Sequence, residues 1–345
     1  MPHKKNSIIR EKILAYYKNN KRALPWRTEQ DNNQNPYFTL VSEVMLQQTQ
    51  VNSVLIYYNK FIKKWPNLNK LAQANNDEVL TMWSGLGYYN RAKNLLKAAK
   101  IISKKYNGVI PEKYEDLISL PGIGKYTASA LISFAFGKFS VVIDTNIKRF
   151  IVRLYGLNKN DKLYKTKLDE IGKKLFFKSN SGKFAQAIMD FSSDICLKRN
   201  PSCSKCFLKN NCKYDLFLEH DYKKTKVKKK YSLVYFYMFN NKYFFLRKRS
   251  LAVALGGMYE VPGTEWQDKA WPKISSNVNL LYALPKVIRY KLSNTDLQIK
   301  IYKANIKDKN YIKDEGIWVC YSDLKNLPIS ILTKKILNYC IIAKF

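Results

Sequence analysis

Four closely spaced cysteines constrain the fold of this chain more than any other feature of its sequence. They lie within 17 residues and are separated by six, two and five intervening positions: Cys196, Cys203, Cys206 and Cys212. Four thiolates in one short loop can hold a metal centre with little help from the rest of the fold. Structural zinc usually takes two close pairs or a mixture of Cys and His, whereas one close pair with two wider arms also suits a [4Fe-4S] cluster. The spacing therefore favours the cluster over zinc.

A secreted disulfide framework is the alternative interpretation of these cysteines. The other two, Cys320 and Cys340, lie far along the chain, and the opening residues MPHKKNSIIREKIL lack the apolar stretch and cleavage site of a signal peptide. No uninterrupted apolar run reaches the ~18 residues that a membrane span needs. The sequence thus predicts a reducing, cytoplasmic compartment and no membrane partner.

The charge of the chain points to a polyanionic partner. Its formal net charge is +35, far more than solubility requires, and nucleic acid is the most plausible partner for such an excess. An AT-rich coding sequence would also enrich lysine, so a motif has to support this interpretation. His3 and His220 are the two histidines, which argues against histidine triads and imidazole acid–base chemistry.

Hydrophobic periodicity divides the chain into a helical part and a mixed part. Apolar residues recur three and four positions apart between residues 8 and 195, which predicts an all-α domain over 1–212. A basic linker is expected over 213–230. Beyond it, runs such as YSLVYFYMF, KYFFLRKR and LQIKIYKANI are typical of strands, and ISILTKKILNYCI of a terminal helix, so an α+β domain is predicted over 231–345.

The segment LPGIGKYTASALISFAF joins two predicted helices through a glycine-containing turn. Gly122 and Gly124 can adopt backbone angles that other residues avoid, and they allow another chain to approach closely. The helix that begins near Lys125 presents free N–H groups, which form a phosphate site. The segment therefore indicates a helix-hairpin-helix motif that grips the DNA backbone without reading its sequence.

Two carboxylates are candidates for acid–base chemistry. Glu43 lies among apolar neighbours in LVSEVMLQQTQV, and an apolar setting raises a carboxyl pKa as a general acid requires. Asp144 precedes a predicted helix in VVIDTNIKRF. It can cap that helix, and hydrogen bonds from backbone N–H groups lower a carboxyl pKa, so capping and catalysis are compatible.

Two further segments are candidates for contacts with bases. The uncharged side chains of residues 47–50, Gln-Gln-Thr-Gln, can read base edges or wedge into a base stack. The segment WSGLGYYNRAKN places the pair Tyr88 and Tyr89 after two glycines, with Arg91 and Lys93 following. An aromatic residue on a glycine turn beside cations is a reasonable intercalating element.

Taken together, these motifs resemble the helix-hairpin-helix DNA glycosylase superfamily, and in particular its adenine DNA glycosylase (MutY-type) branch. The segments that carry the resemblance are LPWR, SEVMLQQTQV, WSGLGYYNRAKN, LPGIGKYTASA, VIDTNIKR, the four-cysteine loop and LGGMYEVPG. The resemblance implies a six-helix barrel over about 30–140, a cluster domain formed by the N-terminal helix with about 141–212, and a Nudix-like domain at the C-terminus that recognises 8-oxoguanine.

The resemblance also implies a role for particular residues. Glu43 matches the general acid that protonates adenine N7, Asp144 the carboxylate that stabilises the sugar cation, and Tyr126 and Asn146 the residues that orient these groups. The four cysteines match [4Fe-4S] ligands. DNA contacts are implied at Gln48, Thr49, Leu86, Tyr88, Arg91, Gly122, Gly124 and Lys125. An adenine pocket is implied at Trp26, Arg27 and Gln186, and lesion recognition at Ser293 and Asn294.

By the same resemblance, the expected reaction is release of adenine mispaired with 8-oxoguanine or guanine in double-stranded DNA, by a monomer associated with the nucleoid in a bacterium. Endonuclease III-like relatives carry a lysine at position 126, and Tyr126 cannot form a Schiff base, so strand cleavage is not expected. Three departures from the family stand out: an enlarged loop TEQDNNQN, Gln186 where some relatives have glutamate, and Leu292-Ser293-Asn294 in place of Phe-Ser-His. The alternatives are an endonuclease III-like or thymine-mismatch glycosylase, and a non-catalytic iron–sulfur protein that binds DNA.

Overall fold

The computed structural model describes residues 2–27, 34–214, 227–274, 282–292 and 294–342. It divides into two compact units. The first comprises Met1–Gln73 and Asn94–Tyr222, and the second comprises Ala74–Lys93 and Lys223–Phe345.

The first unit is helical, as the sequence predicts. Its helices are α1 (Pro2–Asn20), α2 (Pro36–Leu46), α3 (Val51–Lys64), α4 (Leu68–Ala72), most of α6 (Asn90–Lys105), α7 (Tyr114–Ile118), α8 (Lys125–Ala130), α9 (Thr145–Tyr155), α10 (Tyr164–Leu175) and α11 (Ser181–Asp194). A π-helical turn, Leu131–Ala135, continues α8. The periodicity of the sequence predicts α3 to the residue. No helix in the described ranges is long and apolar enough to cross a bilayer.

One of the cores of the first unit lies between α1, α9 and α11, where the apolar faces of helices distant in sequence meet. Ile13 of α1, Ile151 of α9 and Phe184 of α11 are fully buried in it. The partly buried Tyr126, Cys196 and other cysteines of the loop pack against the edge of this same core. The cysteine loop and the start of α8 are therefore both anchored to the core between α1, α9 and α11.

The second unit is built on a seven-stranded sheet. Its strands are β1 (Lys228–Phe239), β2 (Tyr243–Lys248), β3 (Tyr259–Glu260), β4 (Tyr282–Ala283), β5 (Ile288–Leu292), β6 (Thr295–Ile306) and β7 (Ile317–Val319), and its helices are α5 (Asn76–Trp83) and α12 (Ile331–Ile342). The strand order is β3-β2-β1-β6-β4, and its central pair, β1 with β6, is parallel. Outside this order, β5 pairs with β6 and β7 pairs with β2.

Strand β1 is buried on both faces, which explains why its sequence is almost continuously apolar. Val234 and Phe236 face a core that α12 covers, whereas Leu233, Tyr235 and Tyr237 belong to a second core. Both the strands and the terminal helix predicted from the sequence are thereby confirmed.

The structure places two domain boundaries differently from the sequence prediction. Strand β1 begins at Lys228, inside the predicted linker 213–230, because it pairs in register with β6 from Lys228 onward; residues 215–226 of that linker lie outside the described residues. The segment 74–93, predicted to belong to the helical domain, groups with the C-terminal residues instead. Asp77 forms an ion pair with Lys248 at 2.7 Å, and the Ser84 hydroxyl donates to the carbonyl of Ile329.

Candidate active site

A cavity of about 780 Å³ opens in the first unit, and most of the predicted catalytic and pocket residues line it. Those that line it are Glu43, Gln48, Thr49, Tyr126, Asp144, Asn146, Trp26, Arg27 and Gln186. They come from the loop before α2, from α2 and the turn after it, and from the starts of α8 and α9 and the middle of α11. The fold thus gathers into one cavity residues that are separated by up to 160 positions.

Glu43 reaches the cavity from the last turns of α2. The N-terminus of this helix is well capped. The Asn35 side chain accepts hydrogen bonds from the N–H groups of Tyr37 and Phe38, and Pro36 occupies the first helical position. Glu43 is only 6% exposed. Burial raises the pKa of its carboxyl group to about 7, while a hydrogen bond from Tyr126 and the charge of Arg27 oppose this rise. The direction predicted from its apolar neighbours is confirmed.

Tyr126 lies in the first turn of α8 and hydrogen-bonds to the Glu43 carboxyl group. Burial raises the pKa of the Tyr126 phenol well above its ordinary value, and the nearby carboxylates raise it further. The phenol therefore stays protonated and acts as a donor, which fixes the orientation of Glu43.

Asp144 is both the N-cap of α9 and part of the cavity wall. Its carboxylate accepts from the N–H of Ile147 at 2.6 Å and from the Asn146 amide at 2.8 Å. The sequence predicts a lowered pKa from such hydrogen bonds, but the net direction is the opposite. Burial raises the pKa of Asp144, and the hydrogen bonds only offset part of that rise.

Arg149 connects this carboxylate to the cysteine loop. Its guanidinium donates to the Asn146 side-chain oxygen at 3.1 Å, to the Ser192 carbonyl at 2.7 Å and to the Cys196 carbonyl at 2.9 Å. Because Arg149 donates to its side-chain oxygen, Asn146 is oriented with its amide nitrogen toward Asp144. The position of Asp144 is therefore tied to the backbone of the first cysteine.

Arg27 is held in the cavity wall by a buried carboxylate. Asp190, whose side chain is 1% exposed, accepts from both terminal nitrogens of Arg27 at 2.7 and 3.0 Å and from Nε of Arg22 at 2.6 Å. Despite burial, these two guanidinium groups hold the pKa of Asp190 below its ordinary value. Arg27 is thus a fixed, partly neutralised cation near Glu43.

The four loop cysteines surround a second cavity, of about 540 Å³, in the first unit. None of the four is in a disulfide. Burial is the main reason that the pKa of the Cys206 and Cys212 thiols is raised, so holding them as thiolates requires nearby positive charge. Arg153 supplies some, since its guanidinium donates to Sγ of Cys196 at 3.4 Å.

The four cysteines line one cavity of about 540 Å³. Among the residues that the structure describes, no group of three or more Cys, His, Asp or Glu side chains is arranged to hold a single metal ion. A cavity of this size with four cysteines in its lining has room for a multi-atom group, whereas mononuclear zinc needs only a tight tetrahedron of ligands.

The predicted helix-hairpin-helix lies in the first unit, outside the larger cavity, with Gly122, Gly124 and Lys125 exposed. Gly122 has φ +79°, and a Cβ there would meet the Asn94 side chain at 2.8 Å. Gly124, by contrast, has an ordinary φ of −92° and open space where a Cβ would stand. It therefore does not need the left-handed region that the sequence predicts for it; its lack of a side chain leaves the first turn of α8 uncapped and accessible.

The glycine turn before Tyr88 lies in the second unit. Tyr88 is 46% exposed and, at φ +49°, adopts a left-handed conformation. Arg91, a predicted DNA contact, is 8% exposed. It stacks on the rings of Trp83 and Tyr88, and its guanidinium donates to the Gly87 carbonyl. Leu86 is also buried, at 7%, because the turn folds back on Trp83.

Asn294 is exposed in the second unit, at the tight connection between β5 and β6, and its carbonyl accepts from the N–H of Lys228. Ser293 lies outside the described residues.

The sequence analysis missed three residues of this site. Gln34 lines the larger cavity, and Arg149 and Asp190 hold the lining residues Asn146 and Arg27 in place. Arg149 and Asp190 act through partners 47 and 163 positions away. The signal that could have found Arg149 and Asp190 is their position on helix faces that are predicted to be buried, because a buried charged side chain is almost always paired.

Comparisons with known proteins bear on the family and the fold of this chain. A model of the HhH-GPD superfamily of base excision DNA repair proteins matches residues 41–174, and a NUDIX domain model matches residues 234–339. A solved structure of a thermostable thymine-DNA glycosylase is 31% identical with a TM-score of 0.54, and the match covers 61% of this chain and 96% of that one. These matches support the predicted helix-hairpin-helix and Nudix-like folds.

Adenine DNA glycosylases of Buchnera aphidicola strains are among the similar curated proteins. The protein of subspecies Baizongia pistaciae is 44% identical over 60% of this chain, and the match spans only 58% of that relative's length. The protein of subspecies Schizaphis graminum is 32% identical over 92% of this chain and 94% of its own length. This chain belongs to the adenine DNA glycosylase family.

Proposed function

We propose that this protein is a monofunctional glycosylase that releases adenine mispaired with 8-oxoguanine or guanine in double-stranded DNA. The observation that carries the proposal is the shared cavity in which a buried, partly protonated Glu43 stands with a hydrogen-bonded Asp144. Two carboxyl groups with different environments are what acid-assisted cleavage of a glycosidic bond needs.

In this mechanism the flipped adenine occupies the cavity and the protonated Glu43 donates its proton to N7. The bond between N9 and C1′ breaks with its electron pair moving to the base, and the sugar acquires cationic character. The Asp144 carboxylate stabilises that cation, and water adds to C1′ and loses a proton. Tyr126 keeps Glu43 oriented, and flipping costs least at a mispair, which is already weakly stacked.

The pKa values support this division of roles. A pKa of about 7 leaves about half of the Glu43 carboxyl groups protonated at neutral pH. Burial raises the pKa of Asp144 as well, but hydrogen bonds from the backbone and from Asn146 oppose that rise and favour its ionised form. On this difference in hydrogen bonding we assign the acid role to Glu43 and the anion role to Asp144.

Strand cleavage is not part of the proposed activity. It would require an amine in the cavity that attacks C1′ to form a Schiff base. Position 126 presents a phenol, Lys125 is exposed on the hairpin, and the two lysines that line the cavity, Lys148 and Lys198, are also exposed. We therefore assign the lysine to the DNA backbone.

DNA binding would combine the uncapped hairpin helix, the exposed Tyr88 as the intercalating side chain, and Gln48 and Thr49 at the cavity. The net charge of +35 supports contact with a polyanion. The NUDIX-like domain would read 8-oxoguanine through the turn with Ser293 and Asn294. The protein would act as a monomer in the cytoplasm, and on nucleoid DNA if its source is a bacterium.

Cys196, Cys203, Cys206 and Cys212 would hold a [4Fe-4S] cluster, which the surrounding cavity and free thiols fit. When bound, the cluster supplies structural and electrostatic support to the loop and no step of base release. Arg153 and Arg149, which bond to Cys196, would compensate the negative charge of the thiolates.

The test is single-turnover incubation with duplexes that carry adenine opposite 8-oxoguanine, and strand breaks are scored before and after alkali. Free adenine with breaks only after alkali is expected. Duplexes with guanine:thymine mispairs test the rival suggested by the similar thymine-DNA glycosylase structure. Thymine release without adenine release would replace the proposal, and breaks before alkali would refute the monofunctional assignment.

A further inference from the structure

Gln34 is a buried amide in the larger cavity that the mechanism above does not use. It stands at the end of the enlarged loop TEQDNNQN, one residue before Asn35, the N-cap of α2. Its backbone N–H donates to the carbonyl of Phe134 at 3.2 Å, within the π-helical turn after α8. The backbone of Gln34 is therefore held between this hydrogen bond and the cap of α2.

The side chain of Gln34 is left with an unused donor. The residue is 3% exposed, yet its amide nitrogen Nε2 has no hydrogen-bond partner among the described residues. Buried polar groups are nearly always paired, so an exception needs an explanation. Gln34 lines the same cavity as Glu43 and Trp26. Because Nε2 itself is buried, the amide has to turn toward the cavity for a ligand there to supply the missing acceptor.

A purine offers acceptors that suit this donor. Adenine has ring nitrogens N1, N3 and N7, and in the proposed mechanism Glu43 occupies N7. Bases flipped from a duplex are read by hydrogen bonds to their edges. An amide N–H₂ group can donate to either of the two remaining nitrogens.

We infer that Gln34 is a specificity-determining residue whose amide donates a hydrogen bond to N1 or N3 of the flipped adenine. The inference rests on the proposed function of the cavity. Gln34 belongs to the enlarged loop, which is a departure of this chain from its family. Through Gln34 this departure would affect how the substrate is bound.

The experiment compares wild-type protein with Gln34→Met, which keeps the length of the side chain and removes the donor. Single-turnover base release is measured on three duplexes, with adenine, 1-deazaadenine or 3-deazaadenine opposite 8-oxoguanine. The ratio of wild-type to variant rate is taken within each substrate, because this cancels the intrinsic lability of each analogue. Gln73→Met, an exposed exchange of the same kind at the end of α4, is the matched control.

The expected ratio on adenine is about 5- to 150-fold, the range for a lost side-chain contact to a base. It should fall to near one on the analogue that lacks the nitrogen Gln34 contacts and stay large on the other. Equal ratios on all three bases, or a ratio near one on adenine, would overturn the inference. Gln34→Leu repeats the test if the methionine variant does not fold.

The two hypotheses fail in different ways. Release of adenine by the wild-type protein reports on the proposed function, whereas the change in the ratio between substrates reports on Gln34. Wild-type protein that releases no adenine would overturn both.

Discussion

The pH dependence of base release tests the buried acid most directly. The pKa of Glu43 is about 7 in the folded protein, against an ordinary 4.5. At pH 7 about half of the molecules then carry the catalytic proton, whereas an ordinary glutamate would be protonated in about 0.3% of them. Burial therefore increases the population of competent acid by more than about 100-fold at neutral pH.

Single-turnover adenine release measured from pH 5 to 9 should reflect this value. The rate should reach its plateau near pH 6, lose half of it near pH 7 and fall about tenfold per pH unit above pH 8. Protonation of Asp144, whose pKa burial raises, should add a decline at the acidic end. Because the two carboxyl groups repel each other, the observed midpoints belong to the pair.

Glu43→Gln should lower the rate roughly 10²- to 10⁴-fold and abolish the alkaline decline. Tyr126→Phe removes a hydrogen bond that lowers the Glu43 pKa, so it should move the alkaline midpoint to higher pH. A wild-type midpoint near 5, or an unchanged alkaline decline in Glu43→Gln, would refute the assignment of Glu43 as the acid.

The same pKa has a consequence for stability with a definite sign. Between pH 4.5 and about 7 the folded protein keeps the Glu43 proton that the unfolded chain has lost, so the free energy of unfolding falls as pH rises through this window. A pKa difference of about 2.5, at about 1.36 kcal/mol per unit, gives at most about 3 kcal/mol. Glu43→Gln should consequently raise the melting temperature at pH 8, with the gain disappearing below pH 4.5. A lower melting temperature at pH 8 would contradict this reasoning.

Three further predictions concern the supporting groups. The purified protein should be brown with about four irons per chain, and Cys203→Ser should lose iron and colour; stoichiometric zinc without iron in anaerobically prepared protein would reject the cluster. Asp190→Asn should leave the Arg27 charge uncompensated, which lowers the pKa of Glu43 and moves the alkaline midpoint of adenine release to lower pH, and it should cost about 3–5 kcal/mol of stability; an unchanged midpoint would show that Asp190 does not act on the acid. Asn294→His should widen the rate preference for 8-oxoguanine:adenine over guanine:adenine, by up to the ~1–3 kcal/mol of one base contact; an unchanged ratio would mean that this turn does not read the lesion.

The sequence by itself determined the features that depend on near neighbours along the chain. The spacing of four cysteines identified one loop, the apolar neighbours of Glu43 predicted its burial and raised pKa, and Asp144 before an apolar helix predicted its cap. Periods of 3.6 and 2 residues likewise located the helices and strands, since such elements are held by hydrogen bonds and side-chain faces only a few positions apart.

Only the tertiary structure decided which groups meet across long separations in the sequence. It also decided whether burial or hydrogen bonding dominates the pKa of a buried group. Asp190 pairs with Arg27 across 163 positions, and the peptide carbonyl of Phe134 fixes Gln34 across 100; neither pairing leaves a local pattern. The environment at Asp144 likewise depends on packing, because burial by distant elements outweighs the hydrogen bonds of its own helix and reverses the expected pKa direction. Arg91, which the sequence predicts as a DNA contact, is buried because the turn around it folds back on Trp83. Local sequence specifies which groups are available, whereas burial and charge at a site are sums over neighbours that only the folded chain brings together.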